Sequence, residues 1–154
     1  MEAKKIQPEK ITLREFRLVK GLIDSPFDFK VSEIKSFDFK VDFKTGFNME
    51  EDLIKADFII NVSTISNEPV TEATCVYHFV FLFHVVSLSE HTSLAEDQSI
   101  DWNPYLANAI ASITYSTSRG ILISRFQGTV MKDFILPVVD PNSLWSQQPA
   151  LPKV

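Results

Sequence analysis

Phenylalanine on alternate residues is the strongest constraint on how this chain can fold. Phe37, Phe39, Val41 and Phe43 alternate with Ser36, Asp38, Lys40, Asp42 and Lys44. Phe27-Asp28-Phe29-Lys30 has the same rhythm, and Tyr77, Phe79, Phe81, Phe83 and Val85 repeat it further on. Side chains on a strand point to opposite faces in turn, so each run is an aromatic stripe on one face of a sheet. Thirteen Phe against four Gly in 154 residues is a heavy load of bulky side chain. Those rings either close a core or stay open to bind something.

The length suits one domain, large enough to bury roughly two thirds of its unfolded surface. A net charge of −5, with Lys and Arg scattered, argues against nucleic-acid binding. Cys75 is the single cysteine, which excludes an internal disulfide and suits a reducing compartment. Met1 to Lys10 is polar and lacks the apolar stretch of a signal peptide, so the expected location is cytoplasmic. The longest apolar run, Ala73 to Leu88, is too short for a membrane helix and rich in strand-forming residues. It reads as a strand buried on both faces, and no membrane insertion is expected.

Four strands are expected, over Ile11 to Ile23, Ser36 to Asn48, Leu53 to Ser66 and Ala73 to Leu88. The first alternates imperfectly and carries Arg14, Arg17 and Lys20. In the third, Ile54, Ala56, Phe58, Ile60 and Val62 fall on one face, and Asn67-Glu68-Pro69 then reads as a hairpin turn. Ser25-Pro26 favours a turn or an extended crossing. Short links imply an antiparallel meander or a close relative of one. Residues 89–101 are polar, acidic and without period, which predicts a loop.

A helix follows. Asn103 before Pro104 is a start signal, and Arg119-Gly120 predicts the stop. No charged residue lies between Pro104 and Ser118. Leu106, Ile110, Ile113 and Thr117 form an apolar face expected to lie on the sheet. Ala107, Ala111, Thr114 and Ser118 form a small, uncharged face expected at a subunit interface, because a surface helix of a monomer normally carries charge on its outer side. The fold class is α+β: a four-stranded antiparallel sheet, one long helix and a short C-terminal helix beginning near Asp140-Pro141. Residues 1–10 and 147–154 are expected to be flexible tails around a single domain over 11–146.

The sequence offers no visible enzyme. His78 and His84 lie six apart on one strand, about 20 Å at ~3.3 Å per residue, too far to share a metal. His91 reads as an ordinary residue of a polar loop, and Cys75 as a packed thiol. No phosphate loop, dinucleotide fingerprint or nucleophile elbow is present, and no catalytic residue, metal or cofactor is expected. The aromatic surplus points instead to an interaction surface, since contiguous apolar surface marks binding sites. Two occupants fit it: an extended peptide held beside a sheet edge, or an apolar, lipid-like small molecule carried between sheet and helix.

The order of parts resembles the SecB family of export chaperones. The local match runs from Asn103-Pro104-Tyr105 through the helix into Ser118-Arg119-Gly120, then to Leu136-Pro137-Val138-Val139-Asp140 and Leu144-Trp145. About ten extra residues, near Ser124 to Asp133, separate the two motifs. The resemblance implies an ATP-independent holdase, a homotetramer built as a dimer of dimers. Its partners would be non-native polypeptides, either preproteins for export or the antitoxin of a toxin–antitoxin system. By the same resemblance the polypeptide groove is carried by Phe27, Phe29, Phe37, Phe39, Leu136, Val138 and Trp145. The uncharged helix face matches the family's subunit packing. Arg14, Arg17 and Lys20 make the first strand basic where export members present acid to the translocation ATPase, so docking to that ATPase is left open.

Overall fold

One row of residues in the first strand, Ile11, Leu13, Phe16, Leu18, Gly21 and Ile23, is apolar at steps of two and three in turn. The computed structural model, which describes residues 4–145, explains this beat. Strand β1 (Ile11–Asp24) pairs antiparallel with β4 (Thr74–Val85), and the register skips between Leu13 and Glu15 and again between Leu18 and Lys20. Each skip is a β-bulge that inserts one residue and returns the next apolar side chain to the same face. Leu13, Phe16, Leu18 and Gly21 therefore stand opposite Phe83, Phe81, Phe79 and Tyr77.

Strands β2 (Ile34–Asn48) and β3 (Leu53–Ser66) complete a four-stranded sheet in the order β1-β4-β3-β2. Strands β2, β3 and β4 form the expected meander. Strand β1 lies beside β4 rather than β2, so residues 25–33 must cross the sheet end from one edge to the other. That crossing holds a turn, closed by Phe29 N donating to Pro26 O at 3.0 Å, and a 3-10 turn over Val31–Glu33. Asn67 N donates to Glu33 O at 2.9 Å and ties the crossing to the β3–β4 loop.

The residues read as a loop are more ordered than their polarity implies. Leu88–His91 forms a 3-10 turn, and β5 (Thr92–Leu94) pairs with β6 (Ile100–Trp102) in a small hairpin. Helix α1 (Pro104–Arg125) starts where expected, with Asn103 Oδ1 accepting from Tyr105 N at 2.9 Å. It runs straight past the expected stop. Gly120 does not take the left-handed conformation that ends helices, whereas Gly128 does, at φ 75°. The extra turn persists because it buries Leu122 and then Phe126. Most of the ten residues inserted before the Pro-Val element thus belong to the last helical turn and the bend after it.

The helix lies across one sheet face. Phe58, Phe79, Phe81 and Phe83 rise from the sheet and are sealed, while Leu106, Ile110, Tyr115 and Leu122 descend from α1. Ala107, Ala111, Thr114 and Ser118 are also buried, inside the chain's own core. This corrects the expected division of faces, and the reason is volume. Above a row of phenylalanines the helix can pack closely only if small side chains fill the gaps between its large ones, as Ala107, Ala111, Thr114 and Ser118 do beside Leu106, Ile110 and Leu122. The expected sheet-facing residue Ile113 is exposed, and Thr117 is half-buried.

After α1 the chain bends at Gly128, runs extended through Phe134 to Asp140 and ends in the expected short helical element, a single 3-10 turn over Pro141–Leu144. Residues 4–10 are docked: Ile6 packs on the core, Pro8–Lys10 forms a 3-10 turn, and Asn103 Nδ2 donates to Lys4 O at 2.6 Å. The expected tail over 147–154 lies outside the described residues.

Candidate functional site

The aromatic residues singled out from sequence are strung along β2 and the crossing before it. Phe27 sits at the tip of the Pro26–Phe29 turn and is fully exposed. Phe29, two residues on, turns back and packs partly against the core. The two are therefore not equivalent: Phe27 is free to touch a partner, and Phe29 anchors the turn. Beneath them, Phe29, Lys30 and Glu33 face Ser66, Glu68 and Val70 across a hollow of about 570 Å³.

Further along β2, Phe37 and Phe39 point to the helix-covered face, opposite Thr64 and Val62 of β3. The Phe134 ring stands edge-on to both, at centroid distances of 5.5 and 5.4 Å. Phe39 keeps 40% of its surface exposed beside it. Leu136 follows Phe134 inward and is buried, whereas Val138 is 87% exposed. Trp145 lies apart from these, edge-on to Phe43 at 4.8 Å and to Trp102 at 4.9 Å. Six strand residues separate Phe37 from Phe43, about 20 Å along β2. Phe27, Phe39 and Val138 are open, Phe37, Phe29 and Trp145 are half-covered, and Leu136 is closed.

Sequence reasoning missed a second apolar surface. On β1, Leu13, Phe16 and Leu18 share the core face of the sheet but project past the helix that covers the rest, and all three are exposed. Phe16 is edge-on to Phe81 at 5.1 Å and tilted against Phe79 at 5.6 Å. Strict alternation hides this row; counting across the two bulges reveals it. On the outer stripe of α1, Tyr105, Ile113 and Ile123 are exposed.

The opposite sheet face is mixed, with Val76, Val80 and Leu82 of β4 and Leu22 of β1 beside polar and charged groups. His78 Nε2 meets Asp57 Oδ1 at 2.7 Å, and Lys55 Nζ lies 3.5 Å from the other oxygen of that carboxylate. Thr12 and Lys20 stand opposite His84 and His78 across β1. His91, read as a surface residue, is buried instead, and neither ring nitrogen has a hydrogen-bond partner among the described residues. Burial pushes the Cys75 thiol up to about 11, which leaves it protonated and inert at neutral pH. Among the described residues no group of three metal-ligating side chains converges, and no described helix is long and apolar enough to cross a membrane.

The Glu72 carboxylate closes the β3–β4 loop. It accepts from Thr64 Oγ1 at 2.6 Å, Ser66 N at 2.9 Å and Ser66 Oγ at 3.0 Å. The Thr64 hydroxyl is the main reason its pKa sits below the ordinary value.

No known sequence family matches the chain, and no characterised protein matches it in sequence. Shape does what sequence does not. The chain is similar to a SecB-like chaperone of Mycobacterium tuberculosis, solved in complex with a ChAD peptide from the HigA1 antitoxin, with a TM-score of 0.60 over 85% of this chain and 91% of that one. The fold is SecB-like. Only 12% of residues are identical across that match, so the likeness lies in the arrangement of elements. A protein of unknown function from Streptococcus agalactiae also aligns, with a TM-score of 0.34 and 10% identity over 83% of this chain and 97% of that one. Within this fold β2, with Phe134 seated on it, forms the sheet edge opposite β1, and the crossing that carries Phe27 runs from the end of β1 to the start of β2.

Proposed function

We propose that this chain is an ATP-independent holding chaperone, not an enzyme, that binds non-native polypeptide along the crossing and β2. The observation that carries the reading is Phe27, fully exposed at the tip of a proline turn, in a fold whose solved counterpart holds a peptide. A phenylalanine left in water forgoes about 1.5–3 kcal/mol of burial, which a passing hydrophobic segment recovers. Phe39, Ile135 and Val138, each partly or largely exposed, extend the apolar track. The proposed clients are preproteins or an antitoxin, and an adjacent toxin–antitoxin gene pair would identify the second. The proposed location is cytoplasmic.

The proposed assembly is a homotetramer, a dimer of dimers. Two surfaces favour it: the uncovered β1 row of Leu13, Phe16 and Leu18, and the outer stripe of α1 with Tyr105, Ile113 and Ile123. Sheet and helix pack directly on each other through Phe58 and Tyr115, with ring centroids 6.0 Å apart, which argues against a small molecule carried between them. Light scattering of a thermally unfolding client tests the function. Substoichiometric protein without nucleotide should suppress aggregation, and undiminished aggregation at equimolar protein removes the proposal.

A further inference from the structure

The segment that lies over β2 has the form of a bound peptide. Phe134 and Leu136 point in and are buried, while Ile135 and Val138 point out, with 60% and 87% of their surfaces exposed. From Phe134 to Pro137 this is the in-and-out alternation of an extended chain lying on an apolar face; it breaks at Val138, after which Val139 packs partly on the core. The Phe134 ring occupies a seat made by Phe37, Phe39 and Phe126, edge-on to all three at 5.5, 5.4 and 6.2 Å. Among the described residues, 135–139 make no backbone–backbone hydrogen bond to another element. Their tie to the body is Tyr115 Oη, which donates to Pro137 O at 2.7 Å. Turns secure both ends, with Phe134 N on Met131 O at 2.9 Å and Asn142 N on Asp140 Oδ1 at 2.9 Å. Phe39, still 40% exposed, marks the rim where another chain can reach the seat.

Building on the proposed polypeptide-holding function, we infer that the Phe134 seat is a client subsite for an aromatic side chain of an extended polypeptide, and that the chain's own 134–139 segment is its resident competitor. Exchange is close to balanced because one ring replaces another against Phe37, Phe39 and Phe126. The segment leaves without breaking a strand ladder, and its tethered ends return it when the client departs. Apparent client affinity is then the intrinsic affinity scaled by the fraction of molecules with the seat open. The Tyr115 hydroxyl, which holds the segment closed, is a positioning group for this site.

Fluorescence anisotropy with a labelled, permanently unfolded polypeptide, reduced and alkylated α-lactalbumin, tests the exchange. Tyr115→Phe keeps the ring against Phe58 and removes only the hydroxyl, so the seat opens more often and the polypeptide should bind about 2–10-fold more tightly. Phe134→Ala should tighten binding as well, and Phe39→Ser should weaken it. If Phe134→Ala does not fold, Tyr115→Phe decides alone. Wild-type binding with unchanged or weaker binding by a folded Tyr115→Phe overturns the competitor and leaves the holding function standing. No binding by wild type or any variant removes both.

Discussion

Gly21 shows how far single residues decide this structure. A Cβ there would stand 2.9 Å from Cε1 of Tyr77, whose ring lies over the bare backbone of the edge strand. Gly21→Val should displace that ring from Phe79 and Phe126, lowering stability by about 1–3 kcal/mol in urea unfolding. Ser118 makes the opposite case. Its hydroxyl is buried with no hydrogen-bond partner among the described residues, a cost that Ser118→Ala removes. That variant should gain about 1 kcal/mol, whereas a loss of stability would mean the hydroxyl has a partner in the assembled protein. Residue identity also separates Phe27 from Phe29. The family resemblance treats the two alike, and only the turn geometry shows that the second is an anchor.

At the scale of elements, strict patterns were legible and interrupted ones were not. Strand β3 occupies Leu53 to Ser66 as its unbroken alternation predicts. The partner of β1 was hidden, because a strand flanked by a turn-forming Ser-Pro can join either neighbour or the far edge. The helix overran Gly120 because burial of Leu122 and Phe126 outweighs about 1 kcal/mol of glycine propensity. Polarity alone divides the faces of α1 differently, because it does not report which side chains fit above a row of phenylalanines. The β3–β4 loop gives a pH prediction. Glu72 is held charged by Thr64 and Ser66, so its folded pKa lies below the value near 4.3 of an unfolded chain. On acidification the unfolded chain takes up its proton first. The stabilisation is therefore present above that range and is lost as pH falls through the folded pKa. The gap in urea midpoint between wild type and Glu72→Gln should narrow as pH drops from neutral toward about 3, and a gap constant with pH would contradict the assignment.

For the whole molecule, the sheet has one covered face and two unfinished borders. The β1 border is apolar with bulges, and the β2 border carries alternating Asp and Lys on its outer side. Charge on every second residue blunts the β2 edge against strand pairing, and the bulges and charges of β1 do the same there; what β1 offers a copy is the exposed face of Leu13, Phe16 and Leu18. Phe16→Asp should therefore shift sedimentation from about four times the 17.5 kDa chain mass toward smaller species. A wild-type monomer at micromolar concentration would contradict the assembly. With β1 closed by a copy, the crossing and β2 remain for a client, and their exposed rings are where the client is held. That placement is tested most directly by titrating a labelled unfolded polypeptide with wild type and with Phe27→Ser, Phe39→Ser. Wild type should bind saturably and without nucleotide, and the double variant at least several-fold more weakly at unchanged oligomer mass. Equal affinity of the two proteins would contradict it.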